Sequence, residues 1–312
     1  MNLIDFFNKI YISHELSDSG KNAETFISIA EKVGINSFDK EIICDYRSNP
    51  FLIEEEIKKI IISSSNIDIN IYYATFFTRT MNAYSQFHDK DQSSIVIDEL
   101  LIHSLLTFFI TVASVSCNYS LLDEGCELLH RLFSNQITQK EIDSELTERA
   151  SLILLKLSSE AINNIMDYFW CAYTFLIGHE VYHIIFKSGN DKLQDELEAD
   201  SFGYKSLITL ILLQKCGKLK QSIINIYYEH NYLAPVFLFE YYQWKNLYQK
   251  SQNKDYNKDK THPSPEVRSN NILEMFDYLP DDFNTKEGND ILASLLDASD
   301  DMKARMSFLG LI

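Results

Sequence analysis

A chain of 312 residues with 46% hydrophobic and 13% aromatic side chains, nine Gly and five Pro can bury a large core, and this composition excludes a disordered, collagen-like or low-complexity protein. Its 28 Lys and Arg stand against 45 Asp and Glu, a net charge of −17 that repels phosphate backbones and removes nucleic acid as a general partner. The five cysteines, Cys44, Cys117, Cys126, Cys171 and Cys216, are odd in number and show no C-x-x-C spacing. They read as reduced thiols of a cytoplasmic protein rather than as a disulfide framework or a cysteine-rich zinc module.

The first twenty residues lack the basic and apolar regions of a secretory signal. Residues 1–65 read as an N-terminal helical segment with polar breaks, including Asn22 to Val33 and Phe51 to Ile62. Ile67, Ile69 and Ile71 alternate with polar residues, which predicts a half-buried strand. Ser93 to Asp98 predicts a second short strand, and Ile42 to Tyr46 a third. The expected class is therefore α+β, helix-rich, with a small β-sheet.

Leu100 to Cys117 carries no formal charge and, at 18 residues, reaches the lower limit for a membrane span. Its His103, three Ser and two Thr favour a buried helix; the alternative is an inner-membrane-associated chain anchored through residues 100–117. Lys250 to Thr261 is a polar, lysine-rich loop, read as a solvated linker with a lid as the alternative. The residues from 276 to 312 read as an acidic, helical C-terminal tail.

Chemistry concentrates at His179-Glu180-Val181-Tyr182-His183, an H-E-x-x-H pattern. Two His four apart on a helix lie about 5–6 Å from each other on one face, which suits two ligands of one zinc ion. The Glu between them is rotated by about 100° and reaches a metal-activated water as general base. Trp170, Tyr173, Thr174, Ile177, Val181, Ile184 and Ile185 form a stripe opposite the two His, and Phe175, Leu176 and Phe186 make the His side apolar too. A helix apolar all round is buried, and buried His and Glu side chains cost several kcal/mol unless they are paired or bind metal.

A hydrolytic zinc needs a third protein ligand and an open position. Thirteen residues after His183, Glu196 and Asp200 share one face of a predicted second helix, with Ala199 and Gly203 on the side that permits close approach. Glu198 points about 160° away from Asp200. Glu196 is the candidate third ligand, and Asp200 the carboxylate that orients a ligand His. No Gly-rich phosphate loop and no G-x-S-x-G elbow occurs, so nucleotide binding and serine hydrolysis have no support. Cys126 and Cys171 read as buried structural thiols.

H-E-x-x-H followed by E-x-x-A-D, Glu196 to Asp200, resembles the gluzincin metallopeptidases, and more narrowly the HtpX and CAAX prenyl protease 1 group. Asn82-Ala83-Tyr84 ahead of the strand at Ile95 to Leu101, and His262-Pro263 ending in Arg268, are similar to two further motifs of that group, in the same order. In size, acidity and lone H-E-x-x-H the chain is also similar to the Lit-like phage-exclusion proteases.

The resemblance implies a zincin-like catalytic domain over 66–275 with a helical insertion at about 111–167. It implies one Zn2+ per chain on His179, His183 and Glu196, with Glu180 as general base. It gives Asn82 a hold on the substrate backbone and His262 the oxyanion, and Arg268 completes the motif. The activity implied is hydrolysis of peptide bonds in a protein or peptide substrate, open to control by a regulatory partner. The alternative is a zinc-binding sensor or toxin-type defence protein that uses the same fold for binding.

Overall fold

The computed structural model describes residues 70–76, 83–89, 92–134, 147–154, 156–186, 191–216, 229–251, 262–279, 283 and 285–312. The N-terminal segment 1–65, the strand expected at Ile42 to Tyr46, Asn82, and the loop over 252–261 lie outside them. The chain divides into two units, residues 1–102 with 180–187, and residues 103–179 with 188–312.

In the first unit, β1 (Asn70–Phe76), β2 (Ala83–Asp89) and β3 (Gln92–Asp98) form a three-stranded sheet in the order β1-β3-β2. β1 runs parallel to β3, with Tyr73 opposite Ile95. β2 runs antiparallel to it, with Ser85 opposite Ile95 and an irregularity between Phe87 and Asp89. Ser93, Ile95 and Ile97 are buried, the period of two expected where one face of a strand is covered. β3 covers the segment Ser93 to Asp98 expected to be a strand, and β1 overlaps only the end of the alternating Ile67 to Ile71 segment, whereas β2 had only the Asn-Ala-Tyr resemblance to mark it.

The described chain is otherwise helical: α1 (Glu99–Cys117), α2 (Leu122–Phe133), α3 (Thr147–Leu154), α4 (Ser159–Ile185), α5 (Lys192–Lys215), α6 (Ala234–Ser251), α7 (Pro265–Leu273) and α8 (Thr285–Phe308). Helix α1, which carries no formal charge after Glu99, is covered by aromatic side chains. Phe108 meets Phe237, Tyr241 and Trp244 of α6, and Phe109 meets Tyr168 and Phe169 of α4. Three of its buried hydroxyls have partners. Thr111 and Ser114 donate to the carbonyls of Thr107 and Ile110, and the Ser104 hydroxyl pairs with that of Tyr241 at 2.7 Å. Among the described residues no helix is long and apolar enough to cross a membrane.

α8, in the segment read as an acidic tail, buries Leu292, Leu295, Met302 and Met306. A polar link ties it to α6: the Trp244 indole donates to Ser299, Ser299 donates to Glu240 at 2.6 Å, and Lys303 completes the pair with Glu240. Among the described cysteines none forms a disulfide; Cys126 and Cys171 are buried, as the sequence reading has them, while Cys117 and Cys216 are exposed.

Phe108 is fully buried at the centre of this aromatic contact. Phe108→Ala is expected to lower unfolding stability by about 3–5 kcal/mol, measured by urea titration.

Candidate metal centre

A helix crossing builds the site. α4 meets α5 at Gly178 and Gly203, where neither helix has room for a side chain. A Cβ on Gly203 would stand 2.6 Å from the Phe175 carbonyl oxygen and 3.0 Å from the His179 nitrogen. A Cβ on Gly178 would stand 2.8 Å from the Gly203 Cα. Only glycine allows backbones this close. α5 starts at Asp191, whose side chain accepts from the amides of Leu193 and Gln194, so Glu196 and Asp200 fall on the two turns that face His179.

Residues 171 to 181 are all buried, as the all-round apolar pattern of α4 requires. His179 is 4% exposed and Glu180 5% exposed. His179 donates from Nδ1 to Asp200 Oδ1 at 2.9 Å, which fixes the tautomer and leaves Nε2 facing Glu196 Oε2 at 3.4 Å. Nitrogen and oxygen ligand atoms of His179, His183 and Glu196 all lie within 4.8 Å of one another. Two tetrahedral zinc ligands at about 2.1 Å from the ion stand about 3.4 Å apart, so the His179–Glu196 spacing fits this ion without rearrangement. Two imidazoles and one carboxylate are also the donor set of zinc sites that keep an open position.

Asp200 is fully buried and holds two partners. Besides His179 it accepts from Arg268 twice, Nη2 to Oδ1 at 2.6 Å and Nε to Oδ2 at 2.8 Å. Burial alone would raise the Asp200 pKa, but the Arg268 guanidinium and the His179 bond hold it below the usual carboxylate range. Burial likewise pulls His179 down, yet its hydrogen bonds to Asp200 and Glu196 outweigh that and hold it up at about 9. The positive charge that two carboxylates favour here is one a divalent cation would supply instead, with release of the proton. Arg268 keeps its charge despite burial because Asp200 and Glu196 face it, and its guanidinium lies 4.8 Å over the Phe239 ring of α6.

Arg268 is delivered by α7, which begins just after His262-Pro263. Ser264 caps its first turn and Pro265 opens it. One turn beyond Arg268, Asn271 donates to the Leu197 carbonyl at 3.1 Å and to Ser201 at 3.3 Å, so α7 lies along α5. His262 stands at the exposed edge, its Nε2 3.5 Å from Glu196 Oε1. The structure thus brings His179, His183, Glu196, Asp200, Arg268 and His262 to one place, and Asn82 lies outside the described residues. Sequence reading missed Gly178, Asn271 and Phe239. Gly178, directly before the first His, could have been paired with Gly203; nothing in the sequence ties Asn271 or Phe239 to the site.

No family model matches the chain, no curated protein matches it, and no solved structure matches it.

Gly203→Ala forces α5 away from Phe175 and His179 and is expected to destabilise the fold by about 1–3 kcal/mol in urea unfolding. Arg268→Ala leaves the Asp200 carboxylate buried without its cation. The expected loss is about 3–5 kcal/mol, and an unfolding midpoint equal to wild type would contradict the burial described.

Proposed function

We propose that the chain is a zinc-dependent endopeptidase of the gluzincin type, with a zincin-like α+β fold, resembling the HtpX and CAAX prenyl protease 1 group or its Lit-like phage-exclusion counterparts. The observation that carries the reading is the convergence of His179, His183 and Glu196, with Asp200 seated on the Nδ1 of His179. On this reading the protein acts in the cytoplasm on a protein or peptide substrate.

His179, His183 and Glu196 would hold one zinc ion, which when bound polarises the scissile carbonyl and acidifies a water. Asp200, fixed by Arg268, holds the His179 ring in the tautomer that presents Nε2. Glu180, next to His179 on the same helix, takes the proton of the attacking water and delivers it to the leaving amine. His262 donates to the oxyanion and Asn82 holds the substrate backbone, both roles coming from the family resemblance.

One observation favours a second reading. His262 Nε2 is 3.5 Å from Glu196 Oε1, outside the close group of His179, His183 and Glu196, and a shift toward that group would make it a fourth donor. A zinc site closed by four protein ligands is structural, and the chain would then be a zinc-binding sensor or toxin-type defence protein.

Metal mass spectrometry of the purified protein should find about one zinc per chain, lost in His183→Ala and retained in Glu180→Gln. Labelling of new protein N-termini in cells should give cleavage products with wild type and none with Glu180→Gln; equal products from both would refute the proposed general base. His262→Ala separates the two readings. Zinc retained with turnover lowered by about 10²-fold or more fits an oxyanion donor, whereas zinc affinity lost fits a closed site.

A further inference from the structure

α7 supplies none of the three grouped ligand residues, yet it places two side chains beside them, His262 just ahead of the helix and Arg268 within it. What holds α7 therefore decides where those side chains stand. The helix has nine residues, too few to be stable alone, and Ile272 is its one buried residue. Beyond it, Phe276 packs on the Tyr232 ring. Apolar contacts of this extent are non-directional and leave the tilt of the helix open. Arg268 and Asn271 make polar contacts to α5. Arg268 reaches Asp200 along a long side chain that can follow a small shift of α7 and keep both bonds. Asn271, one turn later on the same face, has a short side chain, so its bonds hold only while the two backbones stay close. The Leu197 carbonyl only accepts, so the Asn271 amide must turn Nδ2 toward it. Ser201 gives its own proton to that carbonyl at 2.9 Å, and its oxygen accepts the second hydrogen of Nδ2.

We infer that Asn271 is a positioning residue that sets the tilt of α7 and thereby holds His262 beside Glu196. Nine residues at 1.5 Å each make α7 about 13 Å long, with Asn271 near one end, His262 ahead of the other, and the Arg268 pairing between them as a pivot. His262 follows the helix because the link is stiff: Pro263 and Pro265 restrict its backbone, and Ser264 caps the first turn. Released from Leu197, α7 would swing about Arg268 and carry His262 away from Glu196. The inference rests on the peptidase reading for what His262 does there, and on the contacts of α7 for where His262 stands.

Cobalt(II), loaded in place of zinc, reports this position without a substrate, because the paramagnetic shift of a nearby imidazole falls steeply with its distance from the ion. In protein with isotope-labelled His, the His262 signal is the one lost in His262→Ala. Asn271→Ala should take up cobalt as wild type does and keep the His179 and His183 signals, while its His262 shift falls by about half or more. Asn271→Asp, of the same size but with an acceptor facing the Leu197 carbonyl, should lose at least as much. A side chain that only fills space would leave Asn271→Asp at the wild-type shift, and a general loosening would move all three signals together. Either of those results, or a His262 shift unmoved in both variants, overturns the inference; a wild type that takes up no cobalt removes the metal centre and the inference with it. Cleavage that survives Glu180→Gln would refute the general base and leave the His262 shift to judge Asn271 by itself.

Discussion

The carboxylate of Asp200 is the point on which the site depends. It is fully buried, and a buried charge is tolerated only where its oxygens are occupied. The two Arg268 bonds, from α7, and the His179 bond, from α4, meet that demand. The requirement to satisfy one group therefore fixes three elements. α5 carries the carboxylate, α7 must supply the cation, and α4 must present its imidazole with Nδ1 inward. Once that is met, Nε2 has one direction left, toward Glu196 one turn earlier on α5. Arg268 bears on the centre through Asp200, which it holds with two hydrogen bonds.

The parts of this centre that repeat at helical spacing were legible in the sequence. His179 and His183 sit four apart, Glu196 and Asp200 sit four apart, and the small residues Ala199 and Gly203 mark the face of α5 that can come close. Periodicity alone rejected Glu198, and it is exposed. The long-range pairings were not legible in this way. Arg268 is 68 residues from Asp200, and only the resemblance to a known motif singled it out. No local rule distinguishes an Arg that will meet a buried carboxylate from one that will face water. The position of His262 beside Glu196 follows from the angle of α7, which depends on Asn271 and Phe239, two residues with no signature of their own.

A similar contrast runs through the fold. Ser93 to Asp98 was readable as a strand, and its buried Ser93, Ile95 and Ile97 show the period of two that one covered face imposes. Leu100 to Cys117 was ambiguous for a physical reason: lipid and a protein core reward the same apolar side chains. What decides the matter is the set of partners, and these lie far away in sequence, in Phe237, Tyr241 and Trp244 of α6 and Tyr168 and Phe169 of α4. The helix is then the middle of an aromatic layer, with the Thr111 and Ser114 hydroxyls folded back on its own carbonyls and Ser104 turned to Tyr241.

The link from Trp244 through Ser299 to Glu240 and Lys303 has a consequence for how α6 and α8 find each other. Leu, Met and Ala faces are interchangeable enough that two helices can slide by a turn, about 5.4 Å, and still bury similar area. Such a slip would strand an indole N–H, a hydroxyl and a carboxylate in an apolar seam. The apolar contacts bring the pair together, but the polar link rejects every alignment except one. It acts as a register key, and replacing it with well-fitted aliphatic residues would exchange uniqueness of docking for adhesion.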